Sequence, residues 1–94
     1  MESISASELK KLKNIKLIDV RSKQKYNDSH ILGAININYE QLLLYPSKYL
    51  DKYNKYYIYC QQGNKSRYVC DILSKNGYNV INVNGGYEAW ILSE

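Results

Sequence analysis

A cysteine at the end of an apolar run is the residue of this sequence best placed to do chemistry. The run 56–60 predicts a strand that ends at Cys60, the next residues predict a short loop around Gly63, and 66–76 predicts a helix. Such a loop can direct several backbone N–H groups at one sulfur, and the dipole of the following helix adds positive potential. A thiolate is stabilised in this setting, so the segment predicts a nucleophilic cysteine in an anion-binding cradle. The alternative is a buried free cysteine without a chemical role, because cysteine is often found inside proteins.

Four further side chains are candidates for chemistry: Asp19, Arg21, His30 and Cys70. Asp19 and Arg21 could be catalytic, but charged residues near strand ends more often form structural ion pairs. His30 is the only histidine, and although it could act as a general base, we expect a hydrogen-bonded structural role. Cys70 could react with Cys60, but its place beside the apolar stripe of a helix favours a small packed residue.

The elements that must position these residues alternate along the chain. Strands are predicted over 16–20, 34–38, 56–59 and 79–83, and helical segments over 5–12, 22–26, 38–44, 66–76 and 87–92. Ser5 and Glu8 have the spacing of a capping box, Gly77 suits a helix C-terminus, and Gly85-Gly86 suits a tight turn. The alternation predicts an α/β fold with a largely parallel sheet. In such sheets sites collect at the carboxyl ends of strands, where Asp19 and Cys60 are both expected.

Length and composition limit the class of protein. The 94 residues fit one domain, 1–94, with a modest core, and two cysteines do not make a disulfide framework. No signal peptide and no membrane-spanning run is visible, so we expect a reducing cytoplasm and no membrane partner. The net charge of +4 could favour an anionic partner, but Lys10, Lys11 and Lys13 fit a solvated helix face. Nucleic-acid motifs are absent, so nucleic acid is not an expected partner.

Four blocks of the sequence resemble the single-domain rhodanese family, in family order and spacing. The blocks are Leu17–Arg21, Ser29–Ile37, Tyr59–Ser66 and Gly85–Trp90. The resemblance implies a central five-stranded parallel sheet flanked by helices on both faces. It also implies sulfurtransferase chemistry through a persulfide on Cys60, without a metal or a cofactor. The backbone N–H groups of the substrate-binding loop would line the pocket, and that loop consists of Gln61, Gln62, Gly63, Asn64, Lys65 and Ser66.

By the same resemblance, the donor would be a small anionic sulfur compound such as thiosulfate. The acceptor would be a thiol, cyanide or a protein. Separately from the resemblance, we expect a monomer. The sequence departs from the family at three positions: Lys65 replaces the common Arg, Ser29 replaces Gly, and Leu32 replaces Pro. Lysine offers a point charge where arginine offers a planar fork, so thiosulfate could be held less firmly.

Two other functions remain open from the sequence. A phosphatase or arsenate reductase with a similar fold would need an arginine at position 66, where this chain has Ser66, and Arg67 lies one residue too far. A binding module or a sulfur carrier without turnover is the alternative of a different class. The presence of Cys60 argues against a domain that has lost its chemistry, but a carrier within a larger pathway remains compatible with the sequence.

Overall fold

One parallel sheet organises the protein, whose computed structural model describes all residues from Met1 to Glu94. The sheet has five strands in the order β1-β5-β4-β2-β3. The strands are β1 Glu2–Ile4, β2 Lys16–Asp19, β3 Ile35–Asn36, β4 Lys55–Tyr59 and β5 Asn79–Val83. The helices are α1 Ala6–Leu9, α2 Lys23–Asp28, α3 Tyr39–Leu44, α4 Pro46–Tyr49, α5 Asn64–Lys75 and α6 Gly86–Leu92. The α/β fold and the five-stranded parallel sheet predicted from the sequence are confirmed.

Side chains alternate between the two faces of the sheet and build a separate core on each. On one face, Ile58 of β4 packs with Leu42 of α3 and with Val69 and Leu73 of α5. On the other face, a second buried cluster joins Leu9 of α1 to the strands, and Trp90 of α6 packs against it. Helices therefore cover both faces, as predicted. None of these helices is both long enough and apolar enough to cross a membrane.

The register of the strands brings the candidate residues to one edge of the sheet. In the central pair β2 and β4, Asp19 lies opposite Tyr59, so the chain leaves both strands at the same level. Cys60 follows Tyr59 directly, and in β5 the residue opposite Ile58 is Asn82. The carboxyl ends of three neighbouring strands therefore lie beneath the cysteine loop, with Asp19 and Tyr59 on one face of the sheet and Asn82 on the other.

Several elements differ in extent from the sequence prediction. Strand β1 was not predicted, because it is an edge strand of three residues that pairs only with β5. Helix α1 ends at Leu9 rather than near residue 12, since the N–H groups of Lys11 and Leu12 bond to carbonyls three residues back. Strand β3 keeps only two residues, whereas α2 extends further than predicted.

Helix α5 begins at Asn64, two residues earlier than predicted. Gly63 caps it with a left-handed backbone, φ +96°, which a glycine adopts without strain. Asn64, Lys65 and Ser66 therefore form the first helical turn instead of a loop. This shift matters for the site, because the first turn of a helix has N–H groups that no carbonyl of the helix accepts.

Candidate active site

Cys60 lies at the carboxyl end of β4 with its sulfur in contact with two backbone amides. The N–H of Gly63 is 3.1 Å from the sulfur and that of Ser66 is 3.3 Å from it. Both donors belong to the cap and first turn of α5, a helix of 12 residues, so the positive end of its dipole points at the sulfur. The thiol is 4% exposed, which keeps bulk water from weakening these interactions. The arrangement favours a thiolate or another anion at this atom.

The four other loop residues predicted to line the site lie around the opening rather than against the sulfur. Gln61, Gln62, Asn64 and Lys65 border a pocket whose floor includes Cys60. Gly63 and Ser66 lie beneath it and supply the amides. Two amides of residues 61–66, those of Gly63 and Ser66, thus contact the sulfur itself, and Gln61, Gln62, Asn64 and Lys65 border the opening.

The start of helix α6 holds the cysteine loop from the other side. The N–H of Tyr87 donates to the carbonyl oxygen of Cys60 at 2.8 Å, and the N–H of Glu88 donates to that of Gln61 at 3.0 Å. This contact requires Gly86, whose φ is +61° and whose added Cβ would collide with the carbonyl oxygen of Cys60. The sequence predicted only a turn here, whereas Gly85 caps the helix and Gly86 is its first residue.

A buried ion pair lies next to the loop. Asp19 is 0% exposed and accepts hydrogen bonds from the side chain of Arg21, the shortest at 2.8 Å from Nη2. The hydroxyl of Tyr59 donates to the same carboxylate at 2.7 Å and accepts from the N–H of Ile31. Burial lowers the pKa of Arg21, but the hydrogen bonds and charge of Asp19 outweigh that effect and raise it above its ordinary value. Burial also raises the pKa of Tyr59.

Arg21 connects this buried pair to the wall of the pocket. Its Nη1 donates to the side-chain oxygen of Gln61 at 3.0 Å, and its Nη2 donates to the carbonyl oxygen of Ser29 at 2.6 Å. The guanidinium also lies 4.4 Å from the centre of the Tyr87 ring. Most of its N–H groups are therefore engaged by the protein, so Arg21 acts mainly as a support for the loop.

His30 and Cys70 lie away from the reacting atom. His30 is exposed, stacks on Tyr26 with ring centroids 3.7 Å apart, and places its Nδ1 2.7 Å from the carbonyl oxygen of Tyr26. Cys70 is 0% exposed in the core between α5 and the sheet. The pKa of the Cys70 thiol is raised to about 12, mainly by burial and secondly by the negative charge of Cys60.

The pocket above Cys60 is open, polar and of mixed charge, with a volume of about 780 Å³. Positive side chains on its border are Arg21, Lys25 and Lys65, and negative ones are Asp28 and Glu88. The Lys65 ammonium rests 4.5 Å from the centre of the Tyr39 ring, and no carboxylate pairs with it. Lys25, Asp28 and Glu88 were not singled out from the sequence.

The sequence did contain a signal for Lys25 and Asp28. Ser22 is a helix cap, so it predicts that a helical turn begins beside Arg21 and carries these two residues.

Comparison with known proteins shows the family of this chain. The family model described as Rhodanese-like domain matches residues 5–93. The chain belongs to this family. A thiosulfate sulfurtransferase, GlpE, of Coxiella burnetii is 33% identical over 88 residues, covering 93% of this chain and 81% of that protein. A putative sulfurtransferase, YtwF, of Bacillus subtilis is 36% identical over 76 residues, covering 79% of this chain and 71% of that protein.

Solved structures show the same architecture. A rhodanese-related protein from Thermoplasma volcanium has a TM-score of 0.89 at 32% identity, covering 98% of this chain and 92% of that chain. A rhodanese-like domain protein from Staphylococcus aureus has a TM-score of 0.87 at 32% identity, covering 96% of this chain and 91% of that chain. The rhodanese-like fold predicted from the four sequence blocks is confirmed, and the family places the chain among sulfurtransferases in general.

Proposed function

We propose that this protein transfers a sulfane sulfur from an anionic donor to an acceptor, with Cys60 as the carrier in a persulfide. One observation carries the proposal: at the end of a central strand, the Cys60 sulfur accepts hydrogen bonds from the backbone N–H groups of Gly63 and Ser66. These donors stabilise negative charge without being acids, so they stabilise a persulfide anion without protonating it. The names of the relatives support sulfur transfer as the reaction class.

The reaction has two steps that balance in atoms and charge. In the first, the thiolate of Cys60 attacks the outer sulfur of thiosulfate, the bond between the two sulfurs of the donor breaks, and sulfite leaves with the electron pair. In the second, an acceptor thiolate or cyanide attacks the outer sulfur of the persulfide, and the Cys60 thiolate is regenerated. The cycle is a double displacement with a covalent intermediate and uses only this chain's own nucleophile.

The charges at the pocket fit an anionic donor. Lys65 and Lys25 line the opening above Cys60 and attract a dianion such as thiosulfate. Glu88 opposes that charge, but its carboxylate accepts hydrogen bonds from the side-chain amides of Gln61 and Gln62 at 3.3 and 3.4 Å. The pocket is open, so a thiol or an extended protein segment can reach the persulfide after sulfite leaves. We propose a monomer acting in a reducing compartment such as the cytoplasm, where Cys60 stays a free thiol.

The phosphatase alternative lacks its anion-binding side chain. The position that would carry an arginine is Ser66, and its hydroxyl is buried against Asn82 at 2.5 Å. Arg67, the next residue, is exposed and outside the pocket lining. A phosphoryl group would therefore be held by the Gly63 and Ser66 amides and the lysines alone, without a bidentate partner. Sulfur transfer requires fewer anion-binding groups at the site, because only one sulfur atom has to be accommodated beside the two amides.

Mass spectrometry after incubation with thiosulfate tests the proposal. The protein should gain one sulfur atom, located on Cys60, and release sulfite. Cys60→Ser should gain none, while the matched control Cys70→Ala should gain sulfur as the parent does, because Cys70 is outside the pocket. Loading of Cys60→Ser, or no loading of the parent, would contradict the proposal.

Turnover separates an enzyme from a carrier. An enzyme should convert thiosulfate and cyanide to thiocyanate over many cycles without another protein. A chain that loads one sulfur per molecule and then stops would be a carrier that needs a specific protein acceptor. The persulfide on Cys60 is common to both, so loading alone does not distinguish them.

A further inference from the structure

Asn82 is an amide in a strand position that the sheet would otherwise fill with an apolar side chain. Strand β5 reads Asn79-Val80-Ile81-Asn82-Val83, and its last four residues are buried. Val80 packs into the core shared with α5, whereas Ile81 and Val83 pack into the opposite core. Asn82 is 1% exposed and lies on the α5 side, since it contacts Ser66. Valine would suit this position. Burying an amide here costs free energy unless its hydrogen bonds are satisfied, so its presence calls for a structural explanation.

The partner of Asn82 is the residue that donates to the reactive sulfur. The Ser66 hydroxyl donates to the side-chain oxygen of Asn82 at 2.5 Å. The backbone N–H of the same Ser66 donates to the sulfur of Cys60 at 3.3 Å. The only other acceptor that the Ser66 hydroxyl reaches is the carbonyl oxygen of Gly63 at 3.3 Å, which already accepts from the N–H of Arg67. The single hydroxyl proton therefore serves the shorter bond to β5.

We propose that Asn82 is a positioning residue for the sulfur cradle, which it fixes by tethering the first turn of α5 to β5 through Ser66. The inference rests on the proposed function of Cys60 as the sulfur carrier. Without the tether, the Ser66 hydroxyl turns to Gly63 and the first turn of α5 is free to move away from the sheet. The Ser66 amide then lies further from Cys60 on average, and the thiolate and the persulfide lose one of their two donors.

The experiment measures the rate at which iodoacetamide alkylates Cys60 as a function of pH, with Cys70 as an internal control for folding. Asn82→Val should slow alkylation of Cys60 near pH 7 by about threefold to tenfold, the range that one hydrogen bond accounts for, and move the pH–rate profile to higher pH. Cys70 should stay unlabelled, because it is buried in the folded protein. The matched control is Val80→Ala on the same face of β5, which should lower stability and leave the pH–rate profile of Cys60 unchanged.

A second variant keeps the test decisive if Asn82→Val unfolds and exposes Cys70. Ser66→Ala combined with Asn82→Val removes both polar partners, so no buried group is left unsatisfied. This double variant should show the same slow alkylation of Cys60, and Asn82→Val should add nothing once Ser66→Ala is present. Alkylation at the parent rate and with the parent pH profile in a folded variant would overturn the role of Asn82.

The outcome is independent of whether thiosulfate is the donor. Sulfur loading of the parent chain tests the proposed function, whereas alkylation of Cys60 tests the tether. If the parent fails to load sulfur but Asn82→Val still slows alkylation, the positioning role stands and the proposed function fails. If the parent loads sulfur and Asn82→Val has the parent pH–rate profile, the positioning role alone is wrong.

Discussion

The backbone N–H of Tyr87 donates a 2.8 Å hydrogen bond to the carbonyl oxygen of Cys60, although the two residues are far apart in the sequence. This bond joins the start of α6 to the reactive residue, while Gly63 and Ser66 of α5 hold its sulfur. Cys60 is thus held by its carbonyl from one helix and by its sulfur from another. The nucleophile is fixed by the N-termini of two helices, and changes in α6 should affect it.

Gly86→Ala should disable the site. The added Cβ would collide with the carbonyl oxygen of Cys60, and the backbone φ of +61° is strained for alanine. Sulfur loading from thiosulfate should fall by at least tenfold, because the loop must shift to make room. Mass spectrometry measures the loading, and urea unfolding measures the stability.

Gly33→Ala is the matched control for Gly86→Ala. Gly33 also has a positive φ, +92°, but nothing lies within 4 Å of its added Cβ. It should lose about 1–2 kcal/mol of stability from backbone strain and retain sulfur loading. Equal loading by the two variants would show that the contact between Gly86 and Cys60 does not matter.

Lys65→Ala should raise the KM for thiosulfate and leave kcat largely unchanged. The ammonium of Lys65 lines the pocket and has no carboxylate partner, so it is available to an anionic donor. Lys65→Arg should keep or lower the KM, since its planar fork binds oxyanions with two hydrogen bonds. Steady-state kinetics at constant ionic strength are the measurement. Unaltered kinetics of Lys65→Ala would remove this residue from the donor site.

Tyr39→Leu should raise the same KM by about twofold to fivefold, because the ring that supports the Lys65 ammonium is lost. The ammonium lies 4.5 Å from the ring centre, and Tyr39→Phe should keep the support. In the Lys65→Ala background, Tyr39→Leu should have no further effect on KM. An equal effect in both backgrounds would mean that Tyr39 acts by another route.

The two cysteines should react at very different rates. Iodoacetamide should label Cys60 in the folded protein, because its sulfur borders the pocket and lies against two amides that stabilise negative charge. Cys70 should stay unlabelled until the protein unfolds, since burial raises its pKa to about 12 and covers its sulfur. Peptide mapping after timed alkylation gives both rates. Equal rates in the folded protein would contradict the cradle.

The sequence predicted those parts of the site whose residues lie close together in the chain. Cys60, Gly63 and Ser66 lie within seven consecutive residues, so the order of strand, glycine and helix was enough to bring amides to the sulfur. The cap at Ser5 was also predictable, because the N–H that its hydroxyl accepts belongs to Glu8, three residues later. The alternation of strands and helices predicted the parallel sheet, and the family resemblance added that it has five strands.

Contacts between distant segments escaped the sequence analysis. The Asn82 side chain interrupts an apolar strand, but its partner Ser66 lies 16 residues away, and only the fold reveals the pair. The same holds for Gly86, whose spacing suggested a turn while its role is to admit the carbonyl oxygen of Cys60. Strand β1 was missed because three exposed or half-buried residues carry no pattern, and pairing with β5 alone makes them a strand.

Tyr59→Phe should destabilise the protein by about 1–3 kcal/mol at neutral pH, although the ring is retained. The hydroxyl donates to Asp19 and accepts from the buried N–H of Ile31, which is left without a partner in the variant. Tyr57→Phe is the matched control on the same face of β4, and it should cost less because Tyr57 lies outside this network. Urea unfolding compares the two. Equal losses would show that the Tyr59 hydroxyl contributes nothing specific.

The stabilising effect of the Tyr59 hydroxyl should also disappear at alkaline pH. Burial raises the pKa of this phenol above its ordinary value of 10.0, so the folded chain keeps its proton where the unfolded chain has lost it. The contribution is therefore complete below pH 10 and declines as pH rises further, by at most about 1.4 kcal/mol per pH unit. The difference in unfolding free energy between the parent and Tyr59→Phe should shrink over that range in urea titrations. A difference that stays constant from pH 8 to 11 would mean that the phenol ionises equally easily in both states, contrary to its burial beside Asp19.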